Sequence, residues 1–280
     1  MQNQETYRID IGQLMAERFP DRKLPGFVLN LLKKIVHQDD INSLFANAPG
    51  RKNLDFIDSC MEQLRFTCRV AGEEHLPSDG RRLVFACNHP QGGAEAICIA
   101  HVLGRRYDCK IKFYANEFLT VFIPLKELFL PVHRRRQQDR ESLRQIRDFY
   151  ETDYHLVVFP AGVTAYKSKG KITEHEWHKH FIKVAVEHER DVVPLYFEAS
   201  NSELFYRIEN FRKRIHSKIN FEVMLFAREF FRQRGRTFTL HIGKPVPWQT
   251  FDHTKNYQEW AHWMQRLVSG LPDRDKGDSA

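Results

Sequence analysis

Long hydrophobic runs are what this 280-residue chain most plainly lacks. The longest stretch free of Lys, Arg, Asp and Glu is thirteen residues, 154–166, well short of the ~20 mainly apolar residues of a membrane-spanning helix. The opening MQNQETYRIDIG has neither the basic head nor the apolar stretch of a secretory signal. Cysteine is sparse and odd in number: Cys60, Cys68, Cys87, Cys98 and Cys109, with no C-x-x-C pair. That excludes a disulfide framework or a cysteine-built zinc site and predicts reduced thiols in a cytoplasmic protein. The G-x-S-x-G of serine hydrolases is missing, and the loop after Phe159 offers no serine nucleophile. The H-E-x-x-H of zinc hydrolases is approached at His175-Glu176-Trp177-His178-Lys179-His180. Position 179 holds Lys where the motif needs His, so this string reads as the surface of a helix. There is no internal repeat and no low-complexity tract.

Acidic residues are outnumbered 36 to 43, a net charge of +7. A basic surface suits nucleic acid, an anionic membrane face or an acidic substrate, and charge alone does not choose among them. With 42% hydrophobic residues and twenty-two Phe, the chain has the make-up of a packed globular protein. Residues 7–47 carry Leu14, Phe27, Leu31, Leu32, Ile35 and Val36 at near-helical spacing, broken at Pro20 and Pro25, and a further helix is predicted over 54–64. The pattern then changes to short apolar runs at 83–87, 110–114, 156–159, 192–197 and 237–242, separated by helical stretches at 94–103, 140–150 and 177–188. This is α/β, with a mostly parallel central sheet flanked by helices and a helical N-terminal lead. The expected division is 1–75 for the lead, 76–248 for the α/β domain and 249–280 for a C-terminal helix and polar tail.

Ligands of such sheets sit at the carboxyl ends of the strands, where two unusual loops begin: Asn88-His89-Pro90 and Pro160-Ala161-Gly162. His89 at a strand end, six residues before Glu95 on the first turn of the next helix, is a base–orienter pair. The imidazole takes a proton from a hydroxyl while the carboxylate fixes its tautomer. Gly92 and Gly93 allow a tight turn and close approach to a ligand, and N–H groups at the helix start can stabilise an oxyanion.

Further pieces follow in order: the apolar 118–132 segment, then His133 and Arg134-Arg135-Arg136, then VVFPAGVTAYKSKGK (157–171), then DVVPLYFEASNS (191–202). In that order and spacing, over about 83–201, the chain resembles the glycerolipid acyltransferase superfamily, the relatives of lysophosphatidic acid acyltransferase. Its blocks are Asn-His-x4-Asp, an apolar segment ending in Arg, Phe-Pro-Glu-Gly-Thr-Arg-Ser and an apolar strand with Pro. The matches are Asn88-His89 with Glu95, the 129–134 segment ending in Arg134, Phe159-Pro160-Ala161-Gly162, and Val192-Val193-Pro194. The acid here is Glu, one position further on; Ala161 stands where the family has Glu and Thr164 where it has Arg, with Lys167, Lys169 and Lys171 nearby. These departures, with segments 201–214 and 238–248, resemble a bacterial branch with NHP-x-GG-x-[DE] and FPAG. That branch is similar to the O-acyltransferases of lyso-amino-acid lipids such as lyso-glycine or lyso-ornithine lipids.

The resemblance implies acyl transfer from acyl-ACP or acyl-CoA, as cosubstrate, to the hydroxyl of a lyso-lipid. It implies no other cofactor, no metal and no covalent enzyme intermediate. His89 is then the base and Glu95 its orienter. The substrate-binding set is Asn88, Gly92, Gly93, Arg134, Phe159, Pro160, Ala161 and Gly162, with Arg134 at the acceptor headgroup or the donor's phosphopantetheine and 159–162 as a wall of the cleft. Asn201 and Ser202 are either acceptor contacts or loop caps. A lipid acceptor implies a peripheral docking face on the cytoplasmic side of the inner membrane, for which the 118–132 segment and the aromatic-basic stretches at 211–214 and 226–236 are the candidates. The competing readings are a lysophosphatidic acid acceptor, a non-catalytic acyltransferase fold and a basic nucleic-acid-binding protein; no nucleic-acid motif supports the last.

Overall fold

Three strands apolar along nearly their whole length form the middle of the molecule: β2 (Leu83–Cys87), β5 (His155–Val158) and β8 (Asp191–Phe197). The computed structural model describes residues 7–18, 24–116, 119, 122–132, 140–216 and 224–273. With β1 (Thr67–Ala71), β3 (Ile111–Asn116), β4 (Phe129–Val132) and β9 (Thr237–Ile242), those strands make one seven-stranded sheet in the order β1-β9-β8-β2-β5-β3-β4. Every neighbouring pair is parallel except β8 and β9, which run antiparallel. A sheet covered on both faces requires strands apolar on both sides, and β2 shows it. Leu83, Phe85 and Cys87 face one apolar layer with α4 (Asn53–Leu64) and α5 (Ala94–Arg106), while Val84 and Ala86 face the other with α7 (His180–Glu187) and α10 (Tyr257–Ser269).

The helical lead is present as α1 (Ile11–Arg18), α2 (Gly26–Ile35) and α3 (Gln38–Ala46), and the 140–150 stretch is α6 (Arg140–Tyr150). β1 lies inside the segment expected to be helical and pairs with β9 at the sheet edge. The charged loop at 166–173 folds as a two-stranded antiparallel hairpin, β6 (Tyr166–Ser168) and β7 (Lys171–Thr173).

One expectation fails at 174–179. The helix begins only at His180, so His175 and His178 do not lie on a helix surface. Trp177 is fully buried there, and Gln265 of α10 takes up the main chain on either side, donating to the His175 carbonyl at 2.9 Å and accepting from the Trp177 N–H at 3.3 Å. Side-chain burial and those bonds hold the segment out of the helix. α8 (Glu203–Arg214) and α9 (Phe226–Arg232) complete the carboxyl side of the sheet.

Candidate active site

The site is built on parallel neighbours. β2 lies between β5 and β8, so the loops leaving their carboxyl ends meet. Asn88, the first residue past β2, is buried; its side chain accepts from the Phe197 N–H at 2.7 Å and donates to the Phe197 carbonyl at 3.1 Å. Its carboxamide therefore clamps the ends of β2 and β8 together and sets where His89 begins.

His89 projects from that clamp with its side chain 18% exposed. Its Nδ1 lies 2.9 Å from Oε1 of Glu95, a side chain with no solvent exposure. The ring stacks on Phe159, centroids 4.5 Å apart and planes 23° from parallel, so carboxylate and phenyl fix two directions of the imidazole. Glu95 also accepts from the main-chain N–H groups of Gln91 (3.1 Å), Gly92 (2.6 Å) and Gly93 (3.0 Å). Burial pushes its carboxyl up, but the hydrogen bond and charge of His89 and the Gly92 amide outweigh this, and the net effect is a value below the ordinary one. Glu95 is thus an ionised acceptor. The Nδ1 proton must then belong to the histidine, which leaves the Nε2 lone pair free as a base.

The three amides bear on one expectation. The N–H groups at the start of α5, read as oxyanion donors, turn inward to Glu95. A buried carboxylate requires donors, and these are the nearest ones. Gly92 has φ +102°, and a Cβ there would come within 3.1 Å of Phe226 and Thr164; one at Gly93 would meet Phe230 at 3.1 Å. Both glycines admit the rings of α9 against the loop.

The second loop arches over the first. Gly162, at φ +65°, donates to the Phe159 carbonyl at 2.8 Å, and the Pro160 carbonyl accepts from His178 N–H at 3.0 Å. Ala161 is buried in the α7–α10 layer. Ser202 caps α8, its hydroxyl accepting from Phe205 N–H at 3.2 Å, and it is bonded to the buried Glu229 as well, so loop capping is its place. Lys167 is paired with Glu203. Arg134, with His133, Arg135 and Arg136, lies outside the described residues. Sequence reasoning passed over Glu174, whose Oε1 accepts from the main-chain N–H of His89 at 2.7 Å; an acid in a string of polar residues carries no signal of that contact. Among the described residues no group of three or more His, Cys, Asp or Glu is arranged to hold a metal, and no helix is long and apolar enough to cross a membrane.

A base with its tautomer fixed by a buried carboxylate, at the carboxyl edge of an α/β sheet, is equipped to activate a hydroxyl. The chain belongs to the acyltransferase family, whose model matches residues 13–268, and it is an acyltransferase. Among curated proteins it is similar to the lyso-glycine lipid O-acyltransferase of Bacteroides thetaiotaomicron, 35% identical over 97% of this chain and 100% of that one. It is likewise similar to the lyso-glycine lipid O-acyltransferase of Phocaeicola vulgatus, 34% identical over 97% and 98%. The crystal structure of the 1-acyl-sn-glycerophosphate acyltransferase from Thermotoga maritima covers 94% of this chain and 88% of its own at 16% identity, with a TM-score of 0.48.

Proposed function

We propose that this acyltransferase moves a fatty acyl group from acyl-ACP or acyl-CoA to the hydroxyl of a lyso-amino-acid lipid, with His89 as general base and Glu95 as its orienter. The observation that carries the reading is the 2.9 Å contact between Glu95, wholly buried and held ionised, and His89 Nδ1. As His89 Nε2 takes the acceptor's hydroxyl proton, the oxygen attacks the thioester carbonyl. The tetrahedral intermediate then expels the thiolate, which takes the proton back from the imidazolium as a free thiol, leaving an ester. The ionised Glu95 stabilises the imidazolium between those steps. The names of the curated relatives point to an amino-acid lipid acceptor, and the neutral Ala161 and Thr164 agree with a headgroup other than phosphate.

The reading places the protein at the surface of an anionic membrane. α8 starts six residues past β8, on the edge that carries His89, and shows solvent Leu204 and Phe211, with Ile215 exposed just past its end. Arg207 and Arg214, also exposed, fall on the same helical stripe. Apolar side chains bordered by arginines suit the boundary between headgroups and acyl chains.

Purified protein is mixed with acyl-ACP or acyl-CoA and a panel of lyso-glycine lipid, lyso-ornithine lipid and lysophosphatidic acid, and products are read by mass spectrometry. A diacylated amino-acid lipid from wild type and none from His89→Ala is expected. Product only from lysophosphatidic acid would overturn the acceptor, and undiminished product from His89→Ala would overturn the base.

A further inference from the structure

Glu95 holds the side chain of His89, and a different carboxylate holds its main chain. Glu174 lies between β7 and α7. Its Oε1 accepts from His89 N–H at 2.7 Å, and one turn of the arch away Ala165 N–H donates to the His89 carbonyl at 2.8 Å. Both main-chain polar groups of His89 are therefore bonded to the segment that follows Phe159. That segment is itself anchored: His178 N–H on the Pro160 carbonyl, Trp177 fully buried, and the carbonyls of His175 and Trp177 accepting from Gln265 (2.9 Å) and Gln258 (2.7 Å) of α10. A solvated acid needs no such framework.

We propose that Glu174 is a positioning residue, which fixes the main chain of His89 so that the imidazole is presented to the acceptor hydroxyl in one place and which sets a second carboxylate beside the base. The inference rests on His89 being that base. Burial pushes the Glu174 carboxyl up to about 7, against the His89 amide and the charge of His89, which pull it down; the charge of Glu95 adds to the rise. Burial raises the Cys87 thiol and the Tyr196 phenol, and the charge of Glu174 adds to both; His262 and Arg266 of α10 face Glu174 across a cleft of about 640 Å³ that leads to solvent. The ionised carboxylate is the stronger acceptor for the His89 N–H, so the hold on His89 tightens as the pH rises through 7.

Glu174→Ala and Glu174→Gln are compared with wild type by kcat and KM across neutral pH, and by the NMR signal of the His89 amide. Displacing a reacting group by about 1 Å can cost about a hundredfold in rate. A fall in kcat of that order in the alanine variant, with KM little changed, is expected, and Gln, which keeps a carbonyl acceptor, recovers most of it. The wild-type His89 amide proton moves in step with the Glu174 carboxyl carbon, with a midpoint near pH 7 as its acceptor ionises, and the glutamine variant loses that component. Wild-type kcat in Glu174→Ala overturns the proposal. So does a glutamine variant as slow as the alanine one with the same loss of melting temperature, and so does a wild-type amide whose pH dependence matches that of the glutamine variant. The amide signal needs no substrate. A wild-type protein that acylates none of the lyso-lipids overturns the reaction, while the amide step still judges Glu174.

Discussion

The two ends of the sheet solve the same problem with opposite charges. At the carboxyl end the buried anion Glu95 gathers the N–H groups of Gln91, Gly92 and Gly93. Near the amino end the buried cation Arg190, fully out of solvent, gathers the carbonyls of Tyr150, Thr152 and Tyr154. Each end also holds a histidine at a strand terminus. His155 opens β5, wedged against Tyr107 (ring centroids 4.2 Å apart) and Phe85 (6.0 Å), and its Nδ1 has no partner. His89 follows β2 and has a carboxylate on Nδ1 and a face open to solvent. Backbone solvation of a buried charge is thus a structural device at both ends. On the proposed mechanism it becomes a chemical one where the charge also grips the imidazole of His89.

The comparison is broken most severely at Glu95 and His89. His89→Ala removes the proposed base, and general-base catalysis is worth about 10²–10⁴-fold, so turnover per folded molecule falls by that order, while the buried Glu95 loses a partner and the melting temperature falls as well. Glu95→Gln keeps the size but offers one acceptor oxygen where four donors converge. Turnover falls by about a hundredfold or more as the tautomer is released, and an amide left without an acceptor costs about 1–3 kcal/mol of stability, read by urea unfolding. Wild-type turnover in Glu95→Gln would mean that Phe159 and Glu174 suffice to orient the ring.

At the other end the same operation moves stability alone. Arg190→Met strands the carbonyls of Thr152 and Tyr154, while Tyr150 keeps Arg82 as a donor at 3.1 Å. Each buried acceptor left without its donor costs about 1–3 kcal/mol, and turnover per folded molecule is unchanged. Lost turnover without lost stability would make the two ends alike in function and defeat the contrast.

How much of this the sequence showed follows from burial. The central strands are apolar on both faces, so β2, β5 and β8 stood out as short hydrophobic runs bounded by turns. β1 has the mixed exposure of an edge strand, with Arg69 in its middle, and the β6–β7 hairpin is largely exposed and lysine-bearing; neither has a two-sided apolar pattern to read. His89 and Glu95 were legible because they are six residues apart across one turn. Glu174 lies 85 residues from His89. What brings it there is the burial of Trp177 and the side chains of α10, which no local spacing encodes. The inward turn of the α5 amides was hidden for a related reason: the sequence names the donors and the carboxylate but not which of them will face each other.

The smallest effect is confined to acid and belongs to His155. Burial, helped by the charges of Arg190 and Lys110 against Asp153, lowers it to about 4 from an ordinary value of 6.5. It stays neutral in the folded chain while the unfolded chain takes up a proton below 6.5. Between those values the unfolded state binds more protons, so stability falls as pH drops from about 6.5 toward 4. At about 1.4 kcal/mol per unit, the loss by pH 4 is of the order of 3 kcal/mol. His155→Leu, close in volume and with no hydrogen bond to lose at Nδ1, removes that proton uptake. Urea unfolding near pH 7 is expected to separate the variant from wild type by less than about 1 kcal/mol. At about pH 4.5 the variant outlasts wild type by about 2 kcal/mol, with turnover at neutral pH unaltered. Equal acid sensitivity in both would place the acid-labile group elsewhere, and altered turnover would tie the amino end of the sheet to the chemistry at the other.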